Sequence, residues 1–263
     1  MKPLPDIDLE FLNDVPNEGL KKIIDLLVYD PEDGKKRLAE SLSNTILYNN
    51  CYHNNKLHEM VNEIIHEFQR FGADSVVNFF RKHGVTYREI LNDICKKKDV
   101  SIPTGASVAY LEFELLRKLV IDSVSKSSDN YIDAVVEDLE LECNPEVSIE
   151  TKKELIIEAV NDRHTRLKVY HCILSSGSTE ISGATGRILL DLYHMGLAGA
   201  GKYAAKQFVG KSAAAFVPGA QIALIGWGLF DLLSLATGPA FRVTIPCTIL
   251  IAILREEMYM KQK

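Results

Sequence analysis

Apolar residues recur three and four positions apart along almost the whole chain, and no stretch of six or more residues alternates apolar with polar as a half-buried strand would. The pattern predicts an all-α protein, a multi-helix bundle of about ten helices. Helix punctuation places several of them. Asn17 precedes the run LKKIIDLLVY, Gly34 precedes KKRLAESLSNTILY, and Gly72 and Gly84 stand where helices should stop. Thr86 followed by Glu89 reads as a capping box that opens TYREILNDICKKK, each side chain reaching a backbone N–H that the first helical turn leaves without a partner. Pro103 and Thr104 start ASVAYLEFELLRKLVIDSV, and Ser127 or Ser128 caps DNYIDAVVEDLELE. A loop with Asn144 and Pro145 then leads into a helix expected from about Ile149 to Leu174.

The same pattern divides the chain. Residues 1–30 form a short N-terminal helical module, 31–174 a charged helical body, and 187–263 an apolar C-terminal helical region. The Ser/Gly cluster SSGSTEISGATG at 175–186 is the candidate linker. From Ser212 to Leu254 only Asp231 and Arg242 are charged, while Lys202, Lys206 and Lys211 stand just before that run. The uncharged stretch Ser212–Phe230 has 19 residues, close to the roughly 20 that cross a bilayer as a helix. Pro218, Gly219, Gln221, Gly226 and Gly228 interrupt it, however, and its Ala-rich start is only mildly hydrophobic. Two readings stay open: an apolar Gly/Ala-rich helical hairpin wrapped as core by the amphipathic helices, or a membrane element over 212–254. In the second, Phe216, Trp227 and Phe230 would make the membrane contact, and Tyr203 would join Trp227 and Phe216 in an interfacial belt beside the lysines. The first is the favoured expectation.

Composition narrows the function classes. With 46% hydrophobic and 25% charged residues the chain is globular rather than disordered. A net charge of -6 gives no reason to expect a nucleic-acid partner, because phosphate neutralisation needs clustered Lys and Arg, and the one tight basic run, Lys96 to Lys98, suits a helix C-terminus. The five cysteines are an odd number, far apart and without a CxxC pair, which suggests reduced, mostly buried thiols rather than a disulfide framework or zinc module. The acidic N-terminus has no apolar signal core, so the start of the chain is expected in the cytoplasm, with peripheral or inserted association at the inner membrane as the alternative.

Candidate chemistry is sparse. Residues 205–212, AKQFVGKS, fit a relaxed phosphate-loop pattern in which Lys211 would reach phosphate and Ser212 would hold Mg²⁺. That chemistry needs a strand before the loop, whereas RILLDLYHMGLAGAGKYA reads as helix and Pro218 follows soon after, so coincidence is the better account. His58 and Glu59 begin HEMVN, but Asn62 stands where a zinc protease needs its second histidine. Glu63 with His66, and Asp191 with His194, have the i, i+3 spacing of bundle metal ligands without identifiable carboxylates from other helices. No metal or cofactor is therefore expected, the sequence names no catalytic residues, and the chain is read as more in keeping with a binding protein than an enzyme.

Four stretches carry a resemblance: DLEFLNDV at 8–15, GKKRLAESLSNTILYN at 34–49, EFQRFGADSVVNFFRKHGVTYREILNDICKK at 67–97, and AFRVTIPCTILIAILR at 240–255. In order and content they resemble the uncharacterised bacterial YaaW-like family, with residues 105–185 matching least. The resemblance implies a short N-terminal module followed by a region loosely grouped with ubiquinol–cytochrome c chaperones, and implies no established activity. Within the long match, Asp74, Arg81, His83, Tyr87 and Arg88 crowd polar groups around two helix junctions and form a candidate interaction surface, although capping and ion pairing are the favoured account of such residues. The expected function is a non-enzymatic, chaperone-like interaction or assembly factor with an unidentified protein partner. Its alternatives are a membrane-associating or pore-forming-like helical protein and, behind both, a nucleotide-binding enzyme.

Overall fold

Short polar side chains cap the starts of several helices of this chain, among them Thr45, Thr86 and Ser148. The computed structural model describes residues 3–30, 34–73, 84–144, 146–175 and 241–261, and the regular elements there are helical, with no strand among the described residues. After a 3₁₀ turn at Ile7–Asp14, α1 runs Asn17–Val28 and buries Leu20, Ile23, Ile24 and Leu27, the three-and-four spacing of one helical stripe. It packs on α3, Val61–Gly72.

Residues 35–48, expected as one helix, are broken up. Tyr29 pairs with Lys36 in an isolated antiparallel bridge, Arg37 N donates to Val28 O at 2.8 Å, and Gly34 turns the chain at φ +70. Beyond the bridge, polar side chains compete for the backbone bonds a helix would use. Ser43 N donates to the Glu40 carboxylate at 2.9 Å and Ser41 N to Glu67 at 2.8 Å. The Thr45 hydroxyl accepts from Tyr48 N at 3.1 Å and so starts the short helix α2, Ile46–Cys51.

Helix α4, Tyr87–Lys97, opens on the Thr86/Glu89 capping box, with both reciprocal bonds formed. Gly84 precedes it at φ +73, and Gly72 at the end of α3 lets Ile90 of α4 approach closely: a Cβ there would lie 2.3 Å from Ile90 Cγ1. Helix α5 spans Val108–Lys126 and α6 spans Asp129–Asp138, with Ser128 at the N-cap position of α6 but making no side-chain cap bond. The helix expected over 149–174 is two, α7 at Ile149–Ala159 and α8 at Arg163–Ser175. Asp162 stops and restarts the backbone by accepting from Thr165 N at 2.8 Å. The last helix, α9, is Phe241–Lys261, with Pro246 inside it.

The chain divides into two compact units, Met1–Glu112 with Gly219–Arg255, and Phe113–Pro218 with Glu256–Lys263, so both divisions among the described residues fall inside helices α5 and α9. They differ from the sequence segmentation at 30, 174 and 186; of the expected linker only Ser175, the end of α8, is described. In the first unit Leu9, Leu12, Ile23, Ile24, Phe68, Ile94 and Leu111 are buried together with Ile249, Leu250 and Ile253 of α9. In the second, Leu115, Leu119, Ile132, Val135, Ile156, Val169 and Ile173 are buried, the Tyr131 hydroxyl donates to Cys172 O at 2.7 Å, and Arg163 and Arg166 both reach Glu256 at 3.2 Å. His171 and Glu257 also lie there as a buried pair, 3.4 Å apart.

Most of residues 241–254, the described end of the apolar run, is core: Val243, Thr244, Cys247, Thr248 and Ile249 to Leu254 are buried within protein, and Phe241, Arg242 and Ile245 partly so. The run from 212 to 240 lies outside the described residues. Among the described residues no helix is long and apolar enough to cross a membrane. All five cysteines are free thiols, four of them buried.

Candidate functional site

Two features of the first unit depart from an ordinary helical core. One is a buried polar clasp. Glu112 and Tyr87 are 4% and 0% exposed, and the Tyr87 hydroxyl donates to Glu112 Oε1 at 2.6 Å. Arg255 Nε donates to Glu112 Oε1 at 3.1 Å and Oε2 at 2.9 Å, its Nη2 donates to Asp8 O, and its guanidinium lies 4.1 Å from the Phe11 ring centroid. Asp6 accepts from Tyr87 N at 2.6 Å, and the Gln69 amide bonds the Leu4 backbone in both directions, at 2.9 and 3.0 Å. Burial pushes the Glu112 carboxyl above its usual value, against the lowering pull of Arg255 and Tyr87, and burial together with the Glu112 charge lifts the Tyr87 phenol far above its own. Each of these groups is engaged by another member or by backbone, so the cluster ties the N-terminal turn, α4, α5 and α9 together rather than presenting a base or nucleophile to a substrate.

The second feature is exposed and apolar. Leu38 is 103% exposed, Ile46 81% and Tyr29 37%. Bonds link the stretches of chain that carry them: Tyr29 bridges to Lys36, and Lys36 Nζ donates to Asn44 Oδ1 at 3.3 Å, two residues from Ile46. Along α2 and just past its end, Tyr48 and Tyr52 stack at 4.7 Å, and the Tyr52 hydroxyl donates to Asp25. At the end of this hairpin Arg242 Nη2 donates to Asp30 Oδ2 at 2.7 Å, and Arg37 reaches the same oxygen at 3.5 Å. Arg242, one of the two charges in the apolar run, is thus drawn to Asp30.

Of the candidate interaction residues, Asp74, Arg81 and His83 lie outside the described residues. Tyr87 is no surface residue, because its ring fills the core and its hydroxyl belongs to the clasp. Arg88 is exposed and donates to Ala106 O at 2.7 Å. Lys211, Ser212, Phe216, Trp227 and Phe230, and the Asp191–His194 pair, also lie outside the described residues. The His58 ring contacts Asn13 O at 3.0 Å, and burial lowers the pKa of His66. Among the described residues no group of three or more His, Cys, Asp or Glu could hold a metal ion.

Sequence reasoning missed the partners Asp6, Asp8, Gln69, Glu112 and Arg255, and it missed the Leu38/Ile46 surface. The signal for Glu112 was its place on the stripe of Leu115, Leu116 and Leu119, where a carboxylate needs a buried partner. The signal for Arg255 was a single cation directly after the apolar run.

A family model described as a domain of unknown function (DUF3944) matches residues 4–38. The chain is 31% identical over 227 residues to a UPF0174 protein of Helicobacter pylori, covering 85% of this chain and 100% of that protein. A second UPF0174 protein of that species is 27% identical over 259 residues, 95% of this chain and 91% of the relative. The UPF0174 protein YaaW of Escherichia coli is 29% identical over 260 residues, 96% and 94% of the two chains. No solved structure matches the chain significantly.

Proposed function

Since the chain belongs to the UPF0174 family, whose relatives carry names that state no activity, we propose from its structure that it is a non-enzymatic, chaperone-like protein-interaction or assembly factor. One observation carries this reading: Leu38 and Ile46 stand almost wholly in solvent, on stretches of chain linked by the Lys36–Asn44 hydrogen bond, and Ile46 opens the helix that carries the stacked Tyr48. Scattered exposed aliphatic residues are ordinary, but two on hydrogen-bonded stretches of the same short run of chain have the make-up of a contact that a partner desolvates. Covering each aliphatic side chain would contribute about 1.5–3 kcal/mol.

The test places a photo-crosslinking residue at Leu38, at Ile46 and, as a control, at the exposed Glu150. The expected result is one discrete adduct shared by positions 38 and 46, absent from 150, and weakened at position 46 by Leu38→Asp. The same smear of products from all three positions would reject the reading, as would a turnover activity abolished by one polar substitution.

Membrane association remains the second reading, and the 19-residue uncharged stretch Ser212–Phe230 supports it. Burial of most of 241–254 within protein takes support from the C-terminal part of the 212–254 membrane reading. Flotation with anionic liposomes tests it: protein that stays at the bottom of the gradient at low salt counts against it.

A further inference from the structure

We draw no further inference here: the strongest candidate, the aliphatic patch of Leu38 and Ile46 beside the Tyr29–Lys36 bridge, carries nothing past the proposed function because nothing in the structure shows what covers it.

Discussion

Removing one charge from the Glu112–Arg255 pair should cost far more than half of what removing both costs. Glu112→Gln keeps an acceptor for the Tyr87 hydroxyl but leaves the Arg255 guanidinium, with its side chain 14% exposed, without its counter-charge. Breaking a buried pair on one side typically costs about 3–5 kcal/mol, since the remaining charge stays desolvated. Arg255→Met strands Glu112 in the same way and also gives up the contact with Phe11 at 4.1 Å, a further loss of about 0.5–2 kcal/mol. In the double variant no charge is left behind, so its loss should fall short of the sum of the singles by about 2–3 kcal/mol. Urea unfolding followed by circular dichroism, with hydrogen exchange across α9 and the 7–14 turn, measures all four corners of the cycle. Additivity within about 0.5 kcal/mol would show that the two side chains do not act as a buried pair and would refute the reasoning.

The other predictions are independent of that pair. Gly84→Ala should destabilise by about 2 kcal/mol or more, because φ is +73 and the new Cβ would sit 2.7 Å from the Gln69 carbonyl; Gly34→Ala, at φ +70 with nothing within 4 Å, should cost only about 1 kcal/mol, and equal midpoint shifts in thermal melts would contradict the contrast. Burial works to raise the Glu40 carboxyl, but the Ser43 hydroxyl and amide and the Lys36 ammonium outweigh it and hold the pKa below its ordinary 4.5. Glu40 therefore contributes stability present above that value and lost as pH falls through its folded pKa, so Glu40→Gln should flatten the acid limb of a stability–pH curve below about pH 4.5. Glu112 has the opposite sign: its raised pKa favours the fold below 4.5 and that contribution fades as pH rises through the folded value. Of the five thiols, only the half-exposed Cys143 should react quickly with a disulfide reagent in the native protein. Burial pushes Cys95 up to about 11 and Cys172 and Cys247 up to about 12, and these should react only on unfolding; fast labelling of two or more thiols would contradict the burial.

Local chemistry was legible wherever two or three neighbouring residues settle the matter. The Thr86/Glu89 box formed both of its bonds, and the all-helical class followed from periodicity alone. Asp162 with Thr165 three residues on was an equally local signal for splitting 149–174, and it went unread because the apolar period continues across it. The run after Gly34 misled for a different reason. Leu38, Leu42 and Ile46 are spaced four apart and would share one face of a helix, yet only Leu42 is buried. The decisive contacts there are long-range, Ser41 with Glu67 across 26 positions and Arg70 with the Ala39 carbonyl across 31, and no local window contains them. The clasp is further still beyond local reading, since Arg255 meets Glu112 across 143 positions and Asp8 across 247.

The same long-range bonds hold the N-terminal segment in place. The family model ends at residue 38, but the polar bonds that seat residues 4–8 come from Gln69, Tyr87 and Arg255, and the buried face of α1 packs on α3. Cut at residue 38, the segment would expose Leu9, Leu12, Leu20, Ile23, Ile24 and Leu27 to water, each buried to 1% exposure or less in the full chain. At about 1.5–3 kcal/mol per side chain, that loss exceeds what a single 12-residue helix could recover, because isolated helices of that length are marginal in water. Residues 4–38 are therefore a sequence unit without being a folding unit. A peptide of residues 1–38 should show mostly unfolded circular dichroism, and a cooperative melt from it would overturn this view of how the first unit is held together.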